Sequence, residues 1–149
     1  MRWTFALCLV LFASTAFGQN IVGTWHEGDT LIGSMYRARY VFGADKVFAY
    51  HSSQYDGLQR IQTIGGRYRL VGNIIYLTPE YTVEMRDGTL ERSHFTTLND
   101  SWSIEGGHFK TYKIAKPVQQ SAQIKVVQRK KGRCLLLDLQ PYYKITPAN

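Results

Sequence analysis

The spacing of its turn signals restricts this chain more than any other feature. From Gln19 onward, Gly43-Ala44-Asp45-Lys46, Asp56-Gly57, Gly72-Asn73, Asp87-Gly88, Asn99-Asp100, Gly106-Gly107 and Lys130-Lys131-Gly132 break the sequence at short intervals. The segments between them alternate apolar and polar residues, as half-buried strands do. None sustains a helical period. Tight Gly- and Asn-containing turns join antiparallel neighbours, whereas parallel neighbours need a long crossover. The expectation is an all-β domain of eight to ten strands. Closure into an antiparallel up-and-down β-barrel removes the exposed edges that an aromatic-rich chain must avoid.

Tyr36 to Phe42 shows the alternation most clearly, with Tyr36, Ala38, Tyr40 and Phe42 on one face and Arg37 and Arg39 on the other. Val47 to His51 completes a hairpin with it. Arg60 to Val71 carries a third strand, in which Gly65-Gly66 marks a bulge or a barrel corner. Ile74 to Leu77 follows, with Pro79 as its limit. Tyr81 to Arg86, Thr89 to Leu98, Trp102 to Glu105 and His108 to Ala115 continue the rhythm. Pro117 to Gln123 reads as a polar loop. Ile124 to Val127 and Cys134 to Leu139 form a last hairpin ended by Pro141, and Tyr142 to Ile145 adds a short closing strand.

The first eighteen residues read as an export signal. Arg2 gives the positive start, Phe5 to Phe12 the apolar run, and Ala16-Phe17-Gly18 the small residues before cleavage at Gly18–Gln19. The apolar run is shorter than the roughly 18 residues a membrane span needs. The expected mature chain, residues 19–149, is one exported domain, periplasmic or secreted, with no transmembrane segment. Cys8 leaves with the signal, so Cys134 has no partner for an internal disulfide; before Leu135-Leu136-Leu137 it reads as a buried thiol.

Charge is unevenly spread. From Lys110 to the end, nine Lys or Arg face Asp138 alone, whereas Gln19 to Phe109 holds eight basic and ten acidic residues. Arg129, Lys130, Lys131 and Arg133 form the densest patch. Such a patch fits a solvated hairpin tip, and it fits docking on an anionic surface or protein. Nucleic acid is not expected: alternation separates the arginines from the tyrosines, and export removes the chain from that partner.

Near the start of the mature chain stands Gly23-Thr24-Trp25, where a small residue lets backbones approach and an indole plugs one barrel end. With Tyr40 to Phe48 and the hairpin Gly66 to Leu77, this motif resembles the lipocalin-like (calycin) proteins, especially short exported bacterial domains. The resemblance covers about residues 21–79. It implies a ligand-holding barrel and an arginine late in the chain against Trp25, for which Arg129 and Arg133 are the candidates. The Thr-Asp-Tyr often found in the later strands has only Asn99-Asp100-Ser101 as its counterpart.

No catalytic constellation emerges. His26, His51, His94 and His108 lie far apart, the serines lack a nucleophile context, and Glu80, Glu84 and Glu91 read as solvent-facing. Neither an enzyme nor a metal or other cofactor is expected. The candidate ligand wall is Tyr36, Tyr40, Phe42, Phe48, Tyr50, Tyr68 and Tyr76, which would share an inward face and hold a small, mostly apolar ligand. The alternative is a filled barrel acting as an interaction domain, docked on an anionic partner through its basic C-terminal part.

Overall fold

The structure is a computed structural model that describes residues 19–28, 36–93 and 101–145. Among the described residues, eleven strands follow one another: β1 Gly23–Glu27, β2 Arg39–Phe42, β3 Val47–His51, β4 Ile61–Val71, β5 Ile74–Arg86, β6 Thr89–Ser93, β7 Ser101–Glu105, β8 His108–Lys113, β9 Gln120–Arg129, β10 Gly132–Leu137 and β11 Gln140–Lys144. Eight of them close a ring of antiparallel pairs, β1-β2-β3-β4-β5-β9-β10-β11, with β11 returning to β1. The fold is therefore all-β and barrel-like. Chain order is ring order, except that β6, β7 and β8 intervene before β9. Among the described residues, no helix is long and apolar enough to cross a membrane.

Those three intervening strands bring the count above the eight to ten expected. They arise because β4 and β5 outrun the barrel. The first half of β5 pairs with β9 from Ile74 to Leu77, and the second half pairs with β8 from Tyr81 to Arg86. Pro79 sits between these stretches, so it does not end the strand as its lack of an N–H would lead one to expect. No ladder to β8 or β9 is interrupted there, because the chain is changing partners. On the β4 side the register shifts at Gly65–Gly66, and a Cβ on Gly66 would fall on the Thr78 carbonyl oxygen. The glycine pair thus permits the close approach of β4 and β5 at this irregularity.

Two other boundaries differ from expectation. β9 begins at Gln120 rather than after Gln123, because pairing with β5 imposes the strand on a polar segment with little strand preference of its own. Asp138 and Leu139, both with positive φ, turn the chain into β11, so Pro141 lies inside that strand. It stands one residue beyond the last β1 pairing at Glu27↔Tyr142, where no ladder bond with β1 is lost.

Register decides which residues fill the ring. Ile21, Trp25, Phe42, Phe48, Tyr68, Ile75, Leu77, Ile124, Leu135 and Tyr142 form the buried cluster, with Tyr40, Leu70, Ala122, Val126 and Leu137 packed on it. Each fully buried large apolar side chain contributes roughly 1.5–3 kcal/mol. Cys134 is buried and free, and burial pushes its thiol pKa up.

Candidate functional site

The barrel has two unlike ends. At the turn end lie the tight connections at residues 43–46, 72–73 and 130–131. At the loop end lie the long connections, the overrunning halves of β4 and β5, and the turn at residues 138–139.

The turn end is solid. Trp25 is completely buried, and its indole nitrogen donates to the Ile21 carbonyl at 2.6 Å. Phe42 and Phe48 face each other across β2 and β3 and are also buried. Tyr68 packs edge-on to Phe42 at 5.2 Å, and its hydroxyl donates to the Gly43 carbonyl at 2.8 Å. Outside this plug sit two cations: the Lys144 ammonium 5.6 Å and the Arg133 guanidinium 6.0 Å from the Trp25 ring centre. Arg133 also donates to the Asn20 carbonyl at 3.0 Å. Arg129, the other candidate for this place, instead has a side-chain hydrogen bond to Tyr143.

The loop end is aromatic but less closed. Tyr40 occupies the register row of Trp25 and Tyr50, and it is only partly buried. Its ring lies 4.9 Å from that of Tyr50 and 5.2 Å, edge-on, from that of Tyr142. Glu27 is the register partner of Tyr142 and accepts a 3.2 Å hydrogen bond from the Gln140 amide. Burial, then the neighbouring Tyr50, pushes Tyr40 up to about 12. Tyr142 and Tyr50 are also raised, mainly by burial, with Glu27 adding to both. At neutral pH all three therefore present uncharged hydroxyls on an apolar wall.

The seven residues expected to form one wall thus divide three ways. Phe42, Phe48 and Tyr68 belong to the plug. Tyr40 and Tyr50 face the loop end. Tyr36 and Tyr76 do not share the interior. Tyr36 precedes the start of β2 at Arg39, so the alternation no longer governs it; it is half exposed and packs edge-on against Tyr55 at 6.2 Å. Tyr76 pairs with Arg69 while Tyr68 pairs with Leu77, which turns Tyr76 outward under the Arg69 guanidinium, 3.9 Å from its ring centre. Tyr142, Glu27 and Gln140 were not among the expected residues.

Elsewhere, grooves of about 410, 360 and 230 Å³ open on the surface, and Tyr40, Tyr50 and Tyr142 line none of them. The smallest runs along the outward row of Arg39, His51, Thr63 and Val83 and meets Phe109. The His51 ring nitrogen shares a 3.0 Å hydrogen bond with Thr63, and burial, then Arg39, lowers its pKa. His26 is buried in β1, and His108 lies 3.2 Å from Asp87 on an exposed turn. His94, Cys8, the break at Asn99-Asp100 and the expected signal all lie outside the described residues. Among the described residues, no group of three or more His, Cys, Asp or Glu is placed to hold a metal ion.

Compared with protein-family models, curated proteins and solved structures, the chain finds no match.

Proposed function

We propose that this chain is an exported, lipocalin-like binding module, not an enzyme, that holds a small, mostly apolar ligand at the loop end of its barrel. The observation that carries the reading is the gradient of burial along the barrel axis. Trp25, Phe42 and Phe48 are at most 2% exposed, whereas Tyr40 and Tyr50 remain partly accessible. A ligand therefore has no room inside the barrel at the turn end, and its wall is Tyr40, Tyr50 and Tyr142. Tyrosine suits this task, since its ring covers apolar surface while its hydroxyl orients a polar group. Glu27 and Gln140 add an acceptor and an amide at the rim. The position of Arg133 over Trp25 supports the lipocalin-like part of the reading, because the resemblance implies an arginine there.

An environment-sensitive apolar dye tests the proposal. It should bind the folded protein with a Kd on the order of 1 μM, about −8 kcal/mol, and fatty acids or similar lipids should displace it. Tyr40→Trp should shift that affinity, while Tyr76→Trp, on the outer face, should not. Absence of dye uptake by natively folded protein would remove the interior ligand.

A further inference from the structure

We propose that the turn end of the barrel docks on an anionic phospholipid surface. This inference is independent of what the barrel interior holds. In the sequence the basic residues look like a property of the C-terminal third. In the fold they are a property of one end, because three segments add their own cations to the Arg129–Arg133 hairpin. Lys46 comes from the β2–β3 turn, Arg69 from β4 near its last residue, and Lys144 from the end of β11. Across residues 19–24, 42–48, 68–74, 127–134 and 143–145, which make up this end, seven Lys or Arg face Asp45 alone. Lys46, Arg69, Arg129, Lys130 and Lys131 are exposed. Such a face attracts any anionic surface, and each cation close to an anionic leaflet strengthens binding about fivefold.

Three observations select a lipid surface over a soluble polyanion. The cations cap the end of the barrel, and of the seven only Lys46 lines the 360 Å³ groove there, so they meet a plane better than a strand. The exposed apolar residues among them are aliphatic: Val47 and Val71, 41% and 52% exposed beside their turns, suit contact with headgroups and glycerol. The exposed aromatic rings on which bases stack, Tyr36, Tyr55, Trp102 and Phe109, belong to the loop end and its extension. The chain also enters the barrel on the basic side. Gln19 accepts a hydrogen bond from the Val126 amide at 2.7 Å, which holds this entry point against β9.

The test uses protein recovered after export, its N-terminus established by intact mass, in co-sedimentation with vesicles at rising sodium chloride. Binding is expected to vesicles containing phosphatidylglycerol, not to phosphatidylcholine alone, and is expected to fade as salt screens the charges. Lys130→Gln with Lys131→Gln, on an exposed turn, should weaken it about twenty-fivefold with an unchanged melting temperature. Lys113→Gln with Lys116→Gln, outside this end, should leave it within about twofold. Equal binding to both vesicle types, no binding to either, or indifference to the 130/131 pair would overturn the proposal. Displacement from the vesicles by a single-stranded oligonucleotide or an acidic polysaccharide at equal charge concentration would transfer the patch to a soluble polyanion and overturn the lipid assignment.

Discussion

The two ends of the barrel are built from the same residue types and behave differently. Both place rings in the row that joins β1, β2 and β3. At the turn end the rings are large, dry and hydrogen-bonded to backbone: Trp25 to Ile21 and Tyr68 to Gly43. At the loop end Tyr40, Tyr50 and Tyr142 crowd one another beside a carboxylate. A buried polar atom contributes to stability only when its partner is fixed. At the turn end both acceptors are fixed backbone carbonyls, Gly43 in the short β2–β3 turn and Ile21 in the segment that leads into β1.

The largest test of this contrast is truncation. Trp25→Ala should cost roughly 3–5 kcal/mol, as aromatic deletions in cores do, whereas Tyr50→Ala should cost less than half of that. Denaturant midpoints measure both. Equal losses would mean that the loop end is as solid as the plug and would break the comparison. Next comes the seam between the two halves. Gly66→Ala drives a Cβ onto the Thr78 backbone, which cannot move away as a flexible side chain would, so a loss of about 2–3 kcal/mol is expected. A neutral Gly66→Ala would show that β4 and β5 approach less closely than the register shift implies.

How far the sequence reveals this contrast depends on turns. The β4–β5 hairpin was legible: a two-residue turn at Gly72–Asn73 fixes Val71 against Ile74, hence Arg69 against Tyr76. That register places Tyr76 on the arginine face, which strand membership alone does not show. The bulge at Gly65–Gly66 was legible for the same reason, since paired glycines inside a strand have few other uses. Tyr142 was not legible. Its inward face depends on a turn at Asp138–Leu139, and a leucine at positive φ carries no turn signal. Nor does Pro79 announce that a strand is changing partners; only the pairing of β5 with both β8 and β9 reveals it.

The loop end has its own signature in pH. Tyr40 holds its proton up to about 12 in the folded protein, against 10.0 for an ordinary tyrosine. Between those values the unfolded chain has released the proton and the folded chain has not, so stability is intact below pH 10 and declines as pH rises towards 12. The decline from this one group is at most roughly 3 kcal/mol, since two pKa units at about 1.4 kcal/mol each separate the folded and unfolded values. Tyr40→Phe should flatten that part of the curve. Alkaline denaturation read by circular dichroism, with tyrosinate absorbance alongside, separates the outcomes. An ordinary titration near 10 would mean that water reaches the Tyr40 hydroxyl freely.

The smallest expected effect concerns Arg133, where the plug meets the basic surface. Its guanidinium lies 6.0 Å from the Trp25 ring centre, at the limit of a cation–π contact, which is worth about 0.5–1 kcal/mol where water has access. The hydrogen bond to Asn20 adds a comparable amount at an exposed site. Against both stands Lys144, a like charge 5.6 Å from the same ring, so removing Arg133 also relieves repulsion. The net loss for Arg133→Ala should therefore be at most about 1 kcal/mol, well below that for Trp25→Ala, and it should shrink further for Arg133→Gln if the bond to Asn20 is kept. A double-mutant cycle with Lys144→Gln should give a coupling that weakens with salt, because both charges reach water. A loss above about 2 kcal/mol, insensitive to salt, would make Arg133 part of the plug itself. The boundary between the dry core and the charged end would then lie outside Arg133 rather than at the Trp25 ring.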